Sequence, residues 1–180
     1  MTDRPILFAD AMVRAILNGE KTRSRRPASA MLAKSQPGDR LWVREGLIQT
    51  ENSIQLRYRA DSGIVSPERI PASFTDSRRS IPSIHMPRWA SRLLLTVENI
   101  ERERIQDADH QESMMEGVAE WAKTQPAVTE LVRRGDSKSL FAVLWDSLYG
   151  QTADGWAGNP LVVVVQFSVE RRSIEASIDS

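Results

Sequence analysis

Apolar and polar residues alternate over short stretches of the chain, a pattern that predicts a mixture of strands and short helices. Residues 5–9 form the first such stretch and are predicted to be a strand. Asp10 is placed to cap a helix in which apolar residues recur four positions apart, as Met12 and Ile16 do. Gly19 is placed to end this helix in a left-handed conformation. The first helix should therefore lead directly into the segment that follows Gly19.

Further strands are predicted at 40–47, 53–60, 93–100 and 161–169. Alternation in the first of them puts Leu41 and Val43 on one face, and we expect the second to pair with it. The stretch 161–169 is almost entirely apolar, which is typical of a strand buried on both sides. These segments therefore supply most of the expected core.

An acidic helix is predicted to begin after Asp109, because Asp109 and Glu112 have the spacing of a capping box. The helix runs to Glu116, and Gly117 stands near its end. Two more helices are predicted at 126–134 and 138–148.

The chain has the length of one ordinary domain, and we expect residues 1–172 to form it. Residues 61–82 are rich in serine, proline and arginine, which predicts a surface insertion, and residues 173–180 are expected to be a loose tail. Strands interspersed with short helices, without regular alternation, favour an α+β fold. We expect a small β-barrel surrounded by short helices, including those within 126–148.

The total charge is balanced but unevenly distributed. The sequence has 24 basic and 24 acidic residues, of which 16 basic and 9 acidic ones lie in residues 1–97. A folded molecule could therefore have one positive face that suits a phosphate-bearing partner.

Composition also narrows the chemistry. The absence of cysteine excludes disulfides, zinc ribbons and a thiol nucleophile, and with two histidines a histidine-rich metal site is not expected. No cofactor or metal is predicted. The first residues lack a signal-peptide centre, and no apolar run approaches the length that spans a bilayer, so a cytoplasmic protein without membrane contact is expected.

The basic segment after Gly19 is the strongest candidate for chemistry. Lys21 and Ser24 converge if the chain turns after Gly19, and a lysine with a lowered pKa could then act as a base toward the serine hydroxyl. Arg23, Arg25 and Arg26 would crowd this lysine with positive charge. The alternatives are a solvated basic strip and a phosphate-binding site made of the same cations.

Three other side chains are weaker candidates. Glu116 lies in a segment crowded with acidic residues, most of which are expected simply to keep a helix face in water. Trp42 and Arg44 could stack on a nucleobase and hydrogen-bond to it, but Trp42 could equally be an ordinary core residue.

Four motifs together resemble the ASCH domain, a member of the PUA-like β-barrel superfamily. They are residues 16–26, including Gly19-Glu20-Lys21-Thr22, residues 38–45, the acidic helix at 109–117 and the strand at 161–167. Residues 83–92 and 155–160 are similar to those of the longer ASCH proteins of phages and prophages.

The resemblance implies a cleft beside Lys21 that faces RNA or a modified nucleoside. Within the family, a bacterial amidohydrolase cleaves N4-acetylcytidine with a lysine, a threonine three residues later and a glutamate on the acidic helix. Lys21 matches the lysine, Ser24 replaces the threonine and Glu116 matches the glutamate. Candidate substrate-binding residues are Thr22, Arg25, Trp42, Arg44 and Glu45.

The implied reaction is metal-independent hydrolysis of the N4-acyl amide of a cytidine or cytosine. Lys21 would activate Ser24 for attack on the acyl carbon, and Glu116 would protonate the leaving nitrogen or orient the cytosine edge. Water activated by Lys21 is the alternative nucleophile. Other functions left open are an RNA-binding module without turnover and a ribonuclease in which Lys21 stabilises the transition state.

Overall fold

The computed structural model describes residues 2–49, 55–72, 74 and 79–174. Within these ranges the β-strands are β1 (Asp3–Leu7), β2 (Arg23–Pro27), β3 (Arg40–Arg44), β4 (Leu47–Gln49), β5 (Leu56–Tyr58), β6 (Ser80–Ile81), β7 (Leu94–Arg104) and β8 (Leu161–Glu170). The α-helices are α1 (Asp10–Leu17), α2 (His110–Met115), α3 (Val118–Ala122), α4 (Thr129–Arg134) and α5 (Ser137–Tyr149).

The strands pair into two sheets, which confirms the α+β class. The larger sheet is mixed and has the order β1-β3-β7-β8-β2, in which only the β1–β3 pair is parallel. The smaller sheet is antiparallel and has the order β5-β4-β6. Pairing among the described residues closes neither sheet into a barrel, so β1 and β2 are the edges of the larger sheet.

The main core lies between the larger sheet and the helices. Residues 162–165 of β8 are buried, as the apolar sequence predicted, and α1 and α5 contribute Ile16, Phe141 and Trp145. Helices α2 and α3 pack against α5, and α1 packs against α3. This arrangement holds the start of β2 close to the end of α2.

The smaller sheet has a hydrophobic cluster of its own, which includes Leu47, Tyr58 and Met86. Val65 and Ile81, which lie in the predicted insertion at 61–82, are buried in this cluster. Residues 73 and 75–78 of that segment lie outside the described residues. The described part of 61–82 therefore packs into the fold rather than only covering its surface, because Ile81 is on a strand paired with β4.

The predicted strand at 40–47 is wrong in its extent, because β3 and β4 are separated at Glu45 and Gly46. Glu45 turns inward to pair with Arg92. Gly46 lies close to the Arg59 side chain, since a Cβ at this position would be 2.9 Å from it. The second predicted strand is shorter than expected and pairs with β4; its residues 53 and 54 lie outside the described residues.

Two predictions at the ends of elements are also corrected. Asp10 is the first residue of α1 rather than its cap, and its carboxylate accepts a hydrogen bond of 2.7 Å from Arg59. Ile174, expected in a loose tail, is buried against Trp42 and Leu94, whereas residues 175–180 lie outside the described part of the chain. In the segment 126–134, a 3₁₀ turn precedes α4, and the helix expected at 138–148 is confirmed as α5.

Candidate active site

The turn after α1 brings Lys21 to the end of α2. Gly19 has a φ of +75°, as predicted for the residue that ends the helix. The backbone N–H groups of Glu20 and Lys21 both donate to the carbonyl oxygen of Ala15. Lys21 then forms an isolated antiparallel bridge with Glu116. Two segments 95 residues apart in sequence are thereby joined through their backbones.

The end of α2 fixes Glu116 from the other side. The predicted capping box of Asp109 and Glu112 is present at the start of this helix, and Glu116 is its C-terminal cap. Gly117 follows with a φ of +80°, and a Cβ there would lie 2.8 Å from the Cβ of Ala15. Glycine is therefore required both by the backbone conformation and by the close approach of α1.

A buried network of charges surrounds the Glu116 carboxylate. Lys21 Nζ lies 3.0 Å from Glu116 Oε2 and 2.8 Å from the Glu116 carbonyl oxygen, while Arg25 lies 3.0 Å from Glu116 Oε1. The exposed fractions are 2% for Lys21, 1% for Arg25 and 3% for Glu116. Arg25 also donates to Glu103 at 2.6 Å. Both carboxylate oxygens of Glu116 therefore have a cationic partner.

Burial lowers the pKa of Lys21 from its ordinary value of 10.5. Glu116 opposes this shift, whereas the neighbouring charges of Arg26 and Arg25 add to it. For Arg25, burial acts downward, but Glu116 and Glu103 raise the pKa overall. Lys21 is consequently the member of this network that can lose its proton most easily and act as a base.

A cavity of about 300 Å³ opens beside this network. Lys21, Arg25, Arg26 and Glu116 line it together with apolar side chains of α1, α3 and α5. Lys21 Nζ lies 5.5 Å from the centre of the Phe8 ring, and the Arg26 guanidinium lies 5.4 Å from the same ring. The cavity therefore combines a lysine of lowered pKa, a carboxylate and guanidinium groups with apolar walls.

Arg26 differs from the other cations of the cavity in its partners. Its guanidinium donates to the carbonyl oxygens of Arg25 and Leu7, at 3.0 and 3.3 Å. Among the described residues no carboxylate forms an ion pair with it, unlike Arg25. A guanidinium has five N–H donors, so Arg26 keeps donors for a ligand.

Ser24 and Thr22 are close to Lys21 in sequence but do not line the cavity. Ser24 is fully buried on β2 opposite Val165, and in the described part of the chain its hydroxyl oxygen has no hydrogen-bond partner. Thr22 links α2 to β8 through its backbone, because its N–H donates to the Met115 carbonyl oxygen and its carbonyl oxygen accepts from the Phe167 N–H. The structure thus brings Lys21, Arg25 and Glu116 together without these two side chains.

The other predicted binding residues lie away from Lys21. Trp42 is buried with Leu94, and Arg44 lies over its ring at 5.5 Å and donates to the Ile84 carbonyl oxygen. Trp42 is therefore an ordinary core residue, which was one of the two alternatives left open for it, rather than a residue that stacks on a nucleobase.

Glu45 is completely buried and has a structural partner. Arg92 donates to both of its carboxylate oxygens, at 2.8 and 2.9 Å. Burial raises the pKa of Glu45, and Arg92 opposes the shift. None of Trp42, Arg44 and Glu45 lines the cavity beside Lys21.

Sequence reasoning missed the aromatic wall of the cavity. Phe141, Trp145 and Tyr149 recur at intervals of four on α5, and all three line the cavity. Phe8 and Trp121 complete the aromatic lining. The spacing of these residues on α5 could have indicated an aromatic wall, but the same spacing is typical of any helix that faces a core.

No metal site or membrane span is found within the described ranges. No group of three or more histidine, aspartate or glutamate side chains there could hold a metal ion. None of the helices described is long and apolar enough to cross a bilayer.

Comparison with known proteins finds solved structures of similar fold. No family model and no curated protein matches the sequence. An ASCH domain from Lactobacillus crispatus has 11% identity and a TM-score of 0.42, over 93% of this chain and 79% of its own. The hypothetical protein PH0355 has 11% identity and a TM-score of 0.44, over 94% of this chain and all of its own.

A third similar structure is protein EF3133 from Enterococcus faecalis, of the family DUF984. It has 10% identity and a TM-score of 0.44, over 97% of this chain and 83% of its own. An ASCH domain is thus among the solved structures that this chain resembles. Identities this low say nothing about substrate or activity.

Proposed function

We propose that the protein is a metal-independent amidohydrolase that cleaves the N4-acyl amide of acylated cytidine or cytosine. The observation that supports this most is Lys21, which is buried, has a lowered pKa and is held by Glu116 at the wall of a cavity. The substrate class comes from the resemblance of residues 16–26 and 109–117 to the ASCH amidohydrolase. Perturbed lysines of this kind are a common feature of catalytic sites.

In the proposed reaction, neutral Lys21 takes a proton from a water molecule in the cavity. The water oxygen bonds to the acyl carbon, and the carbonyl oxygen becomes an oxyanion. When this intermediate collapses, the bond from carbon to N4 breaks, and the Lys21 ammonium returns the proton to N4. The products are cytidine, with its free amino group, and a carboxylic acid.

Water is favoured over Ser24 as the nucleophile because Ser24 is not among the side chains that line the cavity. Glu116 acts as a positioning carboxylate rather than a proton donor, since both of its oxygens accept hydrogen bonds from Lys21 and Arg25. In this place the Glu116 carboxyl group holds the Lys21 amine and can accept a hydrogen bond from the N4 group.

Arg26 is the group best suited to stabilise the oxyanion. It lines the same cavity, faces the same Phe8 ring as Lys21 and has donors that are not used in the described contacts. Removing one oxyanion donor from an enzyme costs about 10²–10³ in kcat.

RNA binding through the basic strip has less support. Arg23 pairs with Glu112, and Arg25 pairs with Glu103, Glu112 and Glu116. Cations that are already neutralised release few counterions from a nucleic acid. The same pairing argues against a ribonuclease that relies on these arginines for phosphate contacts.

The test is to incubate the purified protein with N4-acylcytidines and to follow the ultraviolet absorbance change as cytidine is released. We expect turnover that is unchanged by a chelator and lost in Lys21→Arg. Turnover that disappears with chelator and returns with a divalent ion would contradict a metal-independent reaction. Absence of turnover with every acyl group would overturn the proposed function.

A further inference from the structure

One wall of the Lys21 cavity is built by α5. Phe141, Trp145 and Tyr149 stand one above another on this helix, with ring centres 6.3 Å apart for the first pair and 4.5 Å for the second. Leu144 and Leu148 lie between them on the same lining. The wall is therefore mainly aromatic and apolar over about two turns of the helix, with Ser147 as a polar side chain within it.

The apolar surface of this wall is larger than a small acyl group could cover. A cavity of about 300 Å³ has room for about ten water molecules at the volume of liquid water. An acetyl group has three non-hydrogen atoms and would leave most of the apolar surface in contact with water. A benzoyl group has eight non-hydrogen atoms, of which six form a flat ring that can pack against aromatic side chains.

A second cleft provides a separate place for the nucleoside. It has a volume of about 570 Å³ and shares Phe8, Ala9 and Trp121 with the Lys21 cavity. Its other lining side chains are largely polar and include Asp10, Arg14, Arg59, Ser83, Thr124 and Gln125. This cleft has more hydrogen-bond partners for the hydroxyl groups of a sugar than the α5 wall, where Ser147 and Tyr149 are the polar side chains.

We infer that the Lys21 cavity is an acyl-binding pocket that selects large apolar acyl groups, aromatic ones above all, over acetyl. Leu148 and Tyr149 are the specificity-determining residues at its less buried end. Leu148 is 59% exposed, so it can be shortened without opening the core, whereas Tyr149 is half-buried and packs against the core. This inference rests on the proposed function, since it concerns the substrate class of the same site.

The experiment compares kcat/KM for N4-acetylcytidine, N4-hexanoylcytidine and N4-benzoylcytidine. In an apolar pocket one methylene changes discrimination by about ten-fold or more, so the wild type should prefer benzoyl and hexanoyl over acetyl by at least that factor. Leu148→Ala and Tyr149→Ala should each reduce the preference for benzoyl and hexanoyl over acetyl several-fold. Val143→Ala is the matched control, because Val143 is an exposed apolar residue on α5 that does not line the cavity.

The possible outcomes separate the two proposals. Turnover of all three substrates with acetyl equal or superior would overturn the acyl-selection inference and leave the amidohydrolase proposal standing. A preference for large acyl groups that both variants and the control retain equally would overturn the role of the α5 wall. No turnover with any of the three would overturn both proposals together.

Discussion

Glu116 accepts two hydrogen bonds from Lys21 Nζ, one through its carbonyl oxygen at 2.8 Å and one through Oε2 at 3.0 Å. The same two residues are bridged through their backbones. The amine is thus positioned from one direction by α2 and from the other by the turn after α1, while burial, aided by Arg26 and Arg25, lowers its pKa.

Lys21→Arg is expected to reduce turnover by about 10²-fold or more, which is the range that general-base catalysis supplies. Arginine keeps the positive charge but does not lose its proton near neutral pH. Turnover of N4-acylcytidines measured at saturating substrate checks this. Lys34→Arg is the control, because Lys34 is exposed and lies outside the cavity. Equal activity in both variants would assign Lys21 a purely electrostatic role.

The pH dependence of kcat/KM should follow the deprotonation of Lys21. Because burial lowers its pKa from 10.5, activity should rise with pH, with a midpoint below that value. Between the two pKa values the unfolded chain binds a proton that the native lysine has released, so the free energy of unfolding also increases with pH there. A profile of kcat/KM that is flat up to pH 10 would contradict Lys21 as the base.

The turn and the helix cap around the site could be predicted from the sequence, whereas the burial of its charged side chains could not. The Gly19 turn and the capping box at Asp109 are confirmed, because each depends on residues close together in sequence. Lys21 contacts Glu116, the residue that the resemblance implied, whereas the predicted partner Ser24 does not line the cavity. Periodicity cannot tell which residues two distant segments bury together. For that reason the charge partners Glu103 and Glu112 were not assigned to Arg25.

Three residues on β3 or directly after it were predicted to bind substrate but do not line the cavity, namely Trp42, Arg44 and Glu45. Alternation put Trp42 and Arg44 on the polar face of β3, but Trp42 packs against its cross-strand neighbour Leu94 on β7 and against Ile174. Glu45 follows the same strand, and its partner Arg92 lies 47 residues away. Long-range pairing of this kind leaves no local signal in one sequence.

Glu116→Gln should weaken the fold as well as the catalysis. Removing the charge leaves Lys21 and Arg25 buried without their shared partner, and breaking a buried ion pair costs about 3–5 kcal/mol. The free energy of unfolding by urea checks the stability. Loss of the opposing charge should lower the pKa of Lys21 further, so the rise in kcat/KM should move to lower pH. Glu130→Gln, on an exposed face of α4, should change neither.

Arg26→Gln should lower kcat by about 10²-fold with a smaller effect on KM, because an oxyanion donor acts in the transition state rather than on bound substrate. Arg102→Gln serves as the control, since Arg102 is exposed on β7. Steady-state kinetics with N4-benzoylcytidine would separate the two parameters. A rise in KM alone would make Arg26 a binding residue.

Substitutions of Ser24 distinguish most clearly between a serine nucleophile and a water molecule activated by Lys21. Its hydroxyl is completely buried and lacks a hydrogen-bond partner among the described residues, and an unsatisfied buried polar group costs about 1–3 kcal/mol. Ser24→Ala should therefore keep its turnover and be at least as stable as the wild type. Ser24→Thr adds a methyl group to a filled site and should lose about 1–3 kcal/mol of stability.

The decisive measurement for Ser24 is the intact mass of the protein after rapid acid quench during turnover of a slowly hydrolysed N4-acylcytidine. If Lys21 activates water, no acyl adduct forms in either the wild type or Ser24→Ala, and both release cytidine at similar rates. An adduct that appears in the wild type and is absent from an inactive, folded Ser24→Ala would instead make Ser24 the nucleophile. The strand β2 would then have to shift during the reaction, because Ser24 is paired with Val165 on β8 and does not line the cavity.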